Sequence, residues 1–392
     1  MIRQLRFVVA AGVVAAGVFG ASGQANATSC SAVLACVGNA LCANSPAGGG
    51  LTNAQAYQLN HPECFGSANS TAGASQSVSG TSLQQMLAIS NAAGARFTAY
   101  QTPPGAMADS RRGSGLAAGG VSDKLNFWAN VSDDNNKYNG GDFTPANDIG
   151  NSHRIDSSLN VTNVVVGGDY LVAPNVAVGL SVAFDRGTGS TESFKNSASN
   201  DGAKNITTKG TTYAPYLGWQ INKDFALDAS IGWGNGDLTS SGNLTGDAKR
   251  FFYGANLNYT HWYGNWQVTG KGGYLYGEER YGELSNGGAA LAGTATKNKV
   301  DQWALGAQAG YWMNGVLPYF GLTYSTDSRS TSASTAVQQA TDDLGKSAWL
   351  IALGVNFISL KNSMTGGVVY NQETGRSHGK RDSIMANINF RF

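Results

Sequence analysis

The stretch Ile384-Met385-Ala386-Asn387-Ile388-Asn389-Phe390-Arg391-Phe392 sorts its side chains into two alternating sets. Successive side chains of a β-strand point to opposite faces. One face would carry Ile384, Ala386, Ile388, Phe390 and Phe392. The other would carry Met385, Asn387, Asn389 and Arg391. This period of two predicts a strand with one apolar and one largely polar face.

The same alternation recurs upstream of this strand. In the clearest runs, 176–184, 225–233 and 349–357, apolar residues occupy every second position. About twelve such segments can be counted from residue 123 onward. They centre near 123–132, 158–172, 175–185, 206–221, 224–235, 250–262, 265–278, 298–312, 316–326, 346–359, 363–371 and 380–392.

The connections between these segments alternate between short and long. The short ones read as tight turns, at 173–175, 222–224, 263–265, 313–315 and 360–362. The long ones are polar and cover 133–157, 186–205, 236–249, 279–297, 327–345 and 372–379. Short periplasmic turns and longer extracellular loops are typical of outer-membrane barrels.

Membrane physics favours a closed sheet for this pattern. A tilted strand of about 9–11 residues crosses the hydrocarbon, and each unpaired backbone group in lipid costs several kcal/mol. The sequence therefore predicts an all-β fold, an antiparallel transmembrane β-barrel of about 12 strands over residues 123–392. A short N-terminal region with one helical segment would precede it.

The overall composition narrows the function classes. Only 13% of the residues are charged and the formal net charge is +1, so no global field recruits nucleic acid. The mean hydropathy of −0.20 argues against a bundle of apolar membrane helices. A barrel needs an apolar side chain only at every second position, which agrees with this value.

The first 27 residues read as a secretory signal peptide. Arg3 and Arg6 supply the positive start, and 7–19 is an apolar segment shorter than the ~20 residues of a spanning helix. The small-x-small motif at 25–27 predicts cleavage between Ala27 and Thr28. The sequence thus predicts an exported protein.

The cysteines cluster in residues 28–81, at Cys30, Cys36, Cys42 and Cys64. An even count in an exported chain favours disulfide bonds, and three pairings are open. Zinc is the alternative, but the spacings match no standard finger and His61 is the only histidine nearby. We expect no metal and no cofactor.

Residues 82–122 form the other part of the region before the barrel. Leu83, Met86, Leu87 and Phe97 give 82–97 a helical pattern, followed by a Pro- and Gly-rich linker. The segment 28–81 would then be a short Cys-containing passenger, a disulfide-stapled cap or a plug. No repeat is visible in it.

Two further features point to the outer membrane. The strand ending in Ile388, Phe390 and Phe392 resembles the C-terminal signal by which the barrel assembly machinery recognises its clients. Aromatic residues near strand ends predict girdles at the headgroup level. They are Trp128, Tyr170, Trp219, Trp233, Trp262, Tyr263, Trp266, Tyr311, Trp312 and Tyr319.

The order of signal peptide, Ser/Gly/Asn-rich segment, short helix, linker and barrel resembles the autotransporters of type V secretion. The resemblance is also local, in Trp128 and in the hairpin formed by 163–170 and 175–184. It implies that the helix lies in the pore, with Arg96 facing lumen carboxylates. Parity places Asp228, Lys271 and Arg391 on the inward face, where they could form ion pairs or be solvated.

The resemblance implies a monomeric outer-membrane protein with long loops at the cell surface. Its partners would be membrane lipid, the barrel assembly machinery and periplasmic chaperones. The chain would translocate or display its N-terminal segment. A porin-like channel for small solutes and an adhesin-like surface protein are the alternatives. No catalytic motif occurs, and the pairs His153–Asp156 and His378–Asp382 are ordinary loop residues, so we expect no enzyme.

Overall fold

The computed structural model describes residues 124–140, 153–195, 198–240, 244–290, 295–332, 345–359 and 364–391. The predicted signal peptide with its Ala27–Thr28 cleavage site, the four cysteines, the predicted pore helix with Arg96, and Phe392 lie outside the described residues. Among the described residues, no helix is long and apolar enough to cross a membrane. The strands are β1 (Leu125–Asn139), β2 (His153–Ala173), β3 (Val176–Lys195), β4 (Ala198–Gln220), β5 (Phe225–Ser240), β6 (Leu244–Tyr263), β7 (Trp266–Tyr281), β8 (Ser285–Asn286), β9 (Ala289–Ala290), β10 (Thr296–Tyr311), β11 (Val316–Ser332), β12 (Ser347–Ser359), β13 (Met364–Thr374) and β14 (Gly379–Arg391).

The long strands close into an antiparallel barrel. Each pairs with its neighbours along the chain, β7 pairs with β10, and β14 pairs with β1. The closing seam runs from Asn126 opposite Arg391 to Tyr138 opposite Gly379. The two-residue strands β8 and β9 form a hairpin beside the start of β6 rather than part of the barrel wall. This architecture confirms the predicted 12-stranded β-barrel.

The alternation of side chains explains why these segments form a barrel wall. On β3, Val178, Leu180 and Phe184 are exposed on the outward face, whereas Ser181 and Ala183 are fully buried on the inward face. Outward apolar side chains suit lipid, and small inward side chains let the wall curve around its contents. The apolar residues therefore lie outside, which is the reverse of a water-soluble sandwich.

The tight connections all lie at one end of the barrel, here named the turn end. In one of them, the side-chain oxygen of Asn222 accepts hydrogen bonds from the backbone N–H groups of Asp224 and Phe225, each 2.9 Å long. In another, Asn314 and Gly315 adopt φ values of 50° and 98°, a region that suits Asn and Gly. Both Leu125 and Arg391 also lie at the turn end, and the opposite end is named the loop end.

The strands extend further toward the loop end than the sequence predicts. Two predicted loops, 186–205 and 236–249, are instead mostly strand, because β3 continues to Lys195 and β4 starts at Ala198. Likewise, β5 continues to Ser240 and β6 starts at Leu244. Beyond the hydrocarbon the outward face needs no apolar residues, so the hydrophobic alternation fades although the backbone pairing continues.

The aromatic girdle was also predicted too broadly. Trp233, Tyr263 and Trp266 are exposed on the outward face, as a girdle requires. In contrast, Trp128 is only 5% exposed and points inward. Strand parity places three other members of the predicted girdle on the inward face as well, namely Trp262, Trp312 and Tyr319. An aromatic residue near a strand end therefore faces the lipid only if the alternation of side chains places it on the outward face.

Candidate functional site in the barrel lumen

The inward face is lined with polar and charged side chains that are shielded from solvent. Six carboxylates on this face are buried: Asp134, Asp169, Asp185, Asp228, Glu279 and Asp327. Uncompensated buried charge is costly, so each requires partners. The described contacts group these carboxylates into networks that join separate strands.

The most buried network centres on Arg250 of β6. Its Nε donates to Glu279 Oε1 on β7 at 2.7 Å, and its Nη1 donates to Asp185 Oδ1 on β3. The three side chains are at most 3% exposed. One guanidinium therefore links β3 to β7, although β4 and β5 lie between β3 and β6 in the wall.

Two glycines leave the space that this link needs. A Cβ added to Gly210 of β4 would lie 1.9 Å from Arg250 Nη1, and one added to Gly236 of β5 would lie 2.9 Å from Nη2. The guanidinium thus runs along the wall over these two backbone positions. A side chain at Gly210 would displace it from Asp185.

A second network crosses the closing seam between β1 and β14. Asp134 Oδ1 accepts hydrogen bonds from Arg381 Nη2 at 2.7 Å and Nε at 3.1 Å. Asp134 Oδ2 accepts from Asn163 Nδ2 on β2 at 3.2 Å. Two N–H groups of one guanidinium donate to a single carboxylate oxygen, and these charge-assisted hydrogen bonds tie the first strand to the last on the inward side.

A third network lies near the turn end and includes the inward-pointing tryptophan. Trp128 Nε1 donates to the hydroxyl of Tyr216 at 2.7 Å, and that hydroxyl donates to Asp169 Oδ2 at 2.9 Å. Asn126 Nδ2 donates to the same carboxylate oxygen at 2.8 Å. Gly167 and Gly179 face the two rings and leave room for them.

Among the sequence-predicted lumen charges, Asp228 and Lys271 lie on neighbouring parts of the inward face. Asp228 accepts hydrogen bonds from Asn256 at 2.7 Å and Asn258 at 2.9 Å, and its charge also acts on the ammonium of Lys271. Arg391 lies apart from this pair. It stands opposite Asn126 at the turn end of β14, with β1 to β4 between it and the strand of Asp228.

Another network lies at the loop end. Arg376 lies in the connection between β13 and β14. Its Nη2 is 2.7 Å from Asp327 Oδ2 on β11, and its Nε is 2.6 Å from Glu373 Oε1. Burial lowers the pKa of Arg376, but the two carboxylates raise it above its ordinary value, so the guanidinium stays charged. Gln302 on β10 also donates to Asp327, at 2.8 Å.

Two cavities of about 280 and 110 Å³ lie along the inward face, and Lys271 and Thr323 line both. The lining of the larger one is dominated by amide and hydroxyl groups, including Gln308 and Asn356. Such a surface can hydrogen-bond water or a peptide backbone. Within the described ranges, no group of His, Cys, Asp and Glu is arranged to hold a metal ion.

The two histidine pairs weighed from the sequence are described only in part. Asp156 pairs with Arg154 at 3.1 Å. Asp382 lies on the outward face of β14 opposite Asn135, and the backbone carbonyl of His378 accepts a hydrogen bond from Asn139. The side chain of His153 lies outside the described residues.

Sequence reasoning missed the Arg250 network and the inward role of Trp128. The partners of Arg250 are 65 and 29 residues away along the chain, so no local motif reveals them. The alternation of side chains along β1 could have placed Trp128 on the inward face, because it shares that face with Asn126 and Asn130.

Comparison with solved structures places this barrel among known folds. The translocator domain of the autotransporter NalP from Neisseria meningitidis matches with a TM-score of 0.53 at 13% identity, over 76% of this chain and 99% of that one. The β-domain of the Bordetella autotransporter BrkA matches with 0.48 at 15% identity, over 69% and 100%. The transport unit of AIDA-I from Escherichia coli matches with 0.47 at 12% identity, over 73% and 96%.

The solved structures show a shared fold, whereas the match to a family model rests on the sequence itself. No curated protein matches the chain in sequence. The family model of the autotransporter β-domain matches residues 127–371, which is more than half of the chain. Because this match covers most of the closed 12-stranded barrel, the chain belongs to the autotransporter β-domain family of outer-membrane translocator barrels.

Proposed function

We propose that the barrel carries the N-terminal segment of its own chain, residues 28–122, through or into its lumen and displays it at the cell surface. The observation that carries this proposal is the polar, carboxylate-rich inward face. Asp169, Asp185 and Asp228 line it on three different strands. Such a wall can hydrogen-bond the backbone groups that an extended segment exposes.

Barrel size supports the same proposal. Eight-stranded barrels are just filled by their own side chains, whereas barrels of 16–18 strands enclose an aqueous channel. A 12-stranded barrel lies between these limits. We infer that it can admit one polypeptide segment beside its inward side chains. The segment 28–122 is rich in Ala, Ser, Asn and Gly, and these small residues suit passage.

Opposite charges on the N-terminal segment and on the inward face support docking of the segment in the lumen. Its cations are Arg96, Arg111 and Arg112, and the buried carboxylates of the lumen outnumber them. We infer that the guanidinium of Arg96 lies near the carboxylate of Asp228 or of Asp185 on the inward face. We also infer that the barrel assembly machinery inserts the barrel, with periplasmic chaperones escorting it. The proposal needs no catalytic step.

Conductance separates this function from a porin. In planar bilayers, we expect the full chain to conduct weakly and a variant lacking residues 28–122 to conduct strongly, because the segment occupies the lumen. A matched control lacks only residues 28–81 and keeps the predicted helix, and we expect it to conduct like the full chain. Equal, large conductance of all three proteins would contradict lumen occupancy and favour a porin.

A further inference from the structure

The outward face of β6, β7 and β10 carries a row of cations near the loop end. Lys249, Arg280 and Lys297 stand directly opposite one another across these three strands, and this set is named the cationic row. Lys299 follows on the same face of β10. Like charges placed directly opposite in neighbouring strands destabilise a sheet. An anion bound between them would relieve that repulsion.

Carboxylates on the same face offset this charge only in part. Glu278 Oε2 lies 3.0 Å from Lys297 Nζ, and Oε1 accepts a hydrogen bond from Arg280 Nε. Its Oε2 also accepts from the Tyr276 hydroxyl at 2.8 Å. The Glu278 side chain is 9% exposed whereas that of Arg280 is 62% exposed, so the outer surface presents the cation.

The net charge of the patch is positive. Besides Glu278, Asp301 lies on this face, where it accepts a hydrogen bond from the Tyr274 hydroxyl at 2.7 Å. Asp247 bounds the patch, two residues from Lys249 toward the loop end. The cationic row with Lys299 gives four positive charges against these three carboxylates. Asp237 of β5 stands opposite Asp247, and Lys209 of β4 stands opposite Asp237, so counting this pair leaves the net charge at +1.

Aromatic rings mark the depth of the patch in the membrane. Just below it, Tyr253 stacks on Tyr276 with ring centroids 5.0 Å apart, and Tyr274 packs against Trp303 at 4.7 Å. From Trp266 at the turn end to Tyr276 is a rise of about 24 Å for a strand tilted by about 45°. The apolar band of an outer-membrane barrel is about 25 Å tall, so these rings lie at its upper edge. The cationic row comes next and falls at the headgroup level.

We propose that the cationic row binds the phosphate groups of a phosphorylated glycolipid in the outer leaflet. Because short turns face the periplasm, the loop end is the outer side, so the row lies at the headgroups of the outer leaflet. Arginine and lysine bind phosphate through charge-assisted hydrogen bonds. The row spans about 10 Å across three strands, which matches a sugar headgroup carrying more than one phosphate. The aromatic rings below it contact the acyl chains.

The test measures lipid binding to the purified full chain in detergent by native mass spectrometry. The probes are phosphorylated lipid A, its dephosphorylated form, and inorganic phosphate as competitor. The variant R280Q/K297Q removes two cations of the row. The matched control K137Q/K380Q removes two cations that face each other on the outward side of β1 and β14.

We expect R280Q/K297Q to weaken the binding of phosphorylated lipid A by about tenfold or more, in line with the loss of charge-assisted contacts. The control should stay within about twofold of the wild type, because no third cation extends its pair. Equal effects of both variants, or equal binding of the dephosphorylated lipid, would overturn the proposal. Full displacement by inorganic phosphate would assign the row to free phosphate instead and would also overturn it.

A second variant keeps the test decisive if R280Q/K297Q does not fold. K249Q/K299Q removes two cations and leaves Glu278 with both of its ion-pair partners, Arg280 and Lys297. The migration of unheated samples on electrophoresis gels shows whether each barrel has folded. We expect the same loss of binding from this variant, and wild-type binding by it in the folded state would contradict the proposal.

Discussion

Arg250 on β6 and Glu279 on β7 share a hydrogen bond of 2.7 Å on the inward face of the barrel, where both side chains are almost fully buried. The same guanidinium reaches Asp185 on β3. A single cation thus compensates two buried carboxylates and joins strands that are not neighbours. Removing it would leave both carboxylates without their cation.

Arg250→Gln is therefore expected to destabilise the barrel strongly, by about 3–5 kcal/mol, as for other broken buried ion pairs. Urea unfolding of the refolded protein in lipid vesicles, followed by tryptophan fluorescence, measures this change. Arg154→Gln is the control, because the pair Arg154–Asp156 is partly exposed. Its loss should cost about 0–1 kcal/mol. Similar costs for the two variants would refute a structural role for the buried network.

Gly210→Ala tests the same network from the backbone side. The added Cβ would lie 1.9 Å from Arg250 Nη1 and 2.5 Å from Asp185 Oδ1, so these two side chains must move apart. We expect the double variant Gly210→Ala/Arg250→Gln to be about as stable as Arg250→Gln alone, because contacting sites are not additive. Gly270→Ala serves as the control, since its Cβ would meet nothing closer than 3.9 Å. Additive costs at Gly210 and Arg250 would count against the bridging geometry.

Tyr216→Phe removes the hydroxyl that accepts from Trp128 and donates to Asp169. The ring stays, so the change isolates the hydrogen bonds. We expect a loss of about 1–3 kcal/mol in the unfolding free energy, because buried polar partners are left unsatisfied. Tyr213→Phe lies on the same strand but on the outward face, with 47% exposure, and should change stability by less than about 0.5 kcal/mol. A neutral Tyr216→Phe would show that the network contributes nothing to stability.

The closing strand gives a prediction about assembly rather than stability. Phe390 of β14 lies opposite Phe127 and faces the lipid. If β14 carries the assembly signal, Phe390→Ser and deletion of Phe392 lower the outer-membrane yield in cells. Phe320→Ser places the same polar group on the lipid face of β11 and should lower the yield less. Equal yields from all variants, measured by quantitative immunoblot of membrane fractions, would exclude a special role for this strand.

Much of this fold follows from the sequence because lipid imposes a simple rule on strands. In 176–184 every second residue is apolar, and the structure places that set outside. The rule fails beyond the hydrocarbon, at 185–195, where Thr188 and Ser190 face outward and are polar. There the strand persists through backbone pairing and through contacts on the inward face, so its outward face carries no hydrophobic pattern to read.

The lumen was less predictable than the wall. Parity identifies Asp228 and Lys271 as inward residues, but it does not show which side chains meet across the barrel. The link from Arg250 to Asp185 depends on the absence of side chains at Gly210 and Gly236. That space is a property of the closed barrel, so only the register of four strands reveals it.

The proposed function depends on the display of the N-terminal segment at the cell surface. The most direct measurement is the labelling of an epitope tag inserted after Thr28 by antibody on intact cells, compared with labelling after outer-membrane permeabilisation. Display at the cell surface predicts strong labelling of intact cells, with little increase on permeabilisation. A tag that antibody reaches only after permeabilisation would contradict it, because the segment would then remain on the periplasmic side.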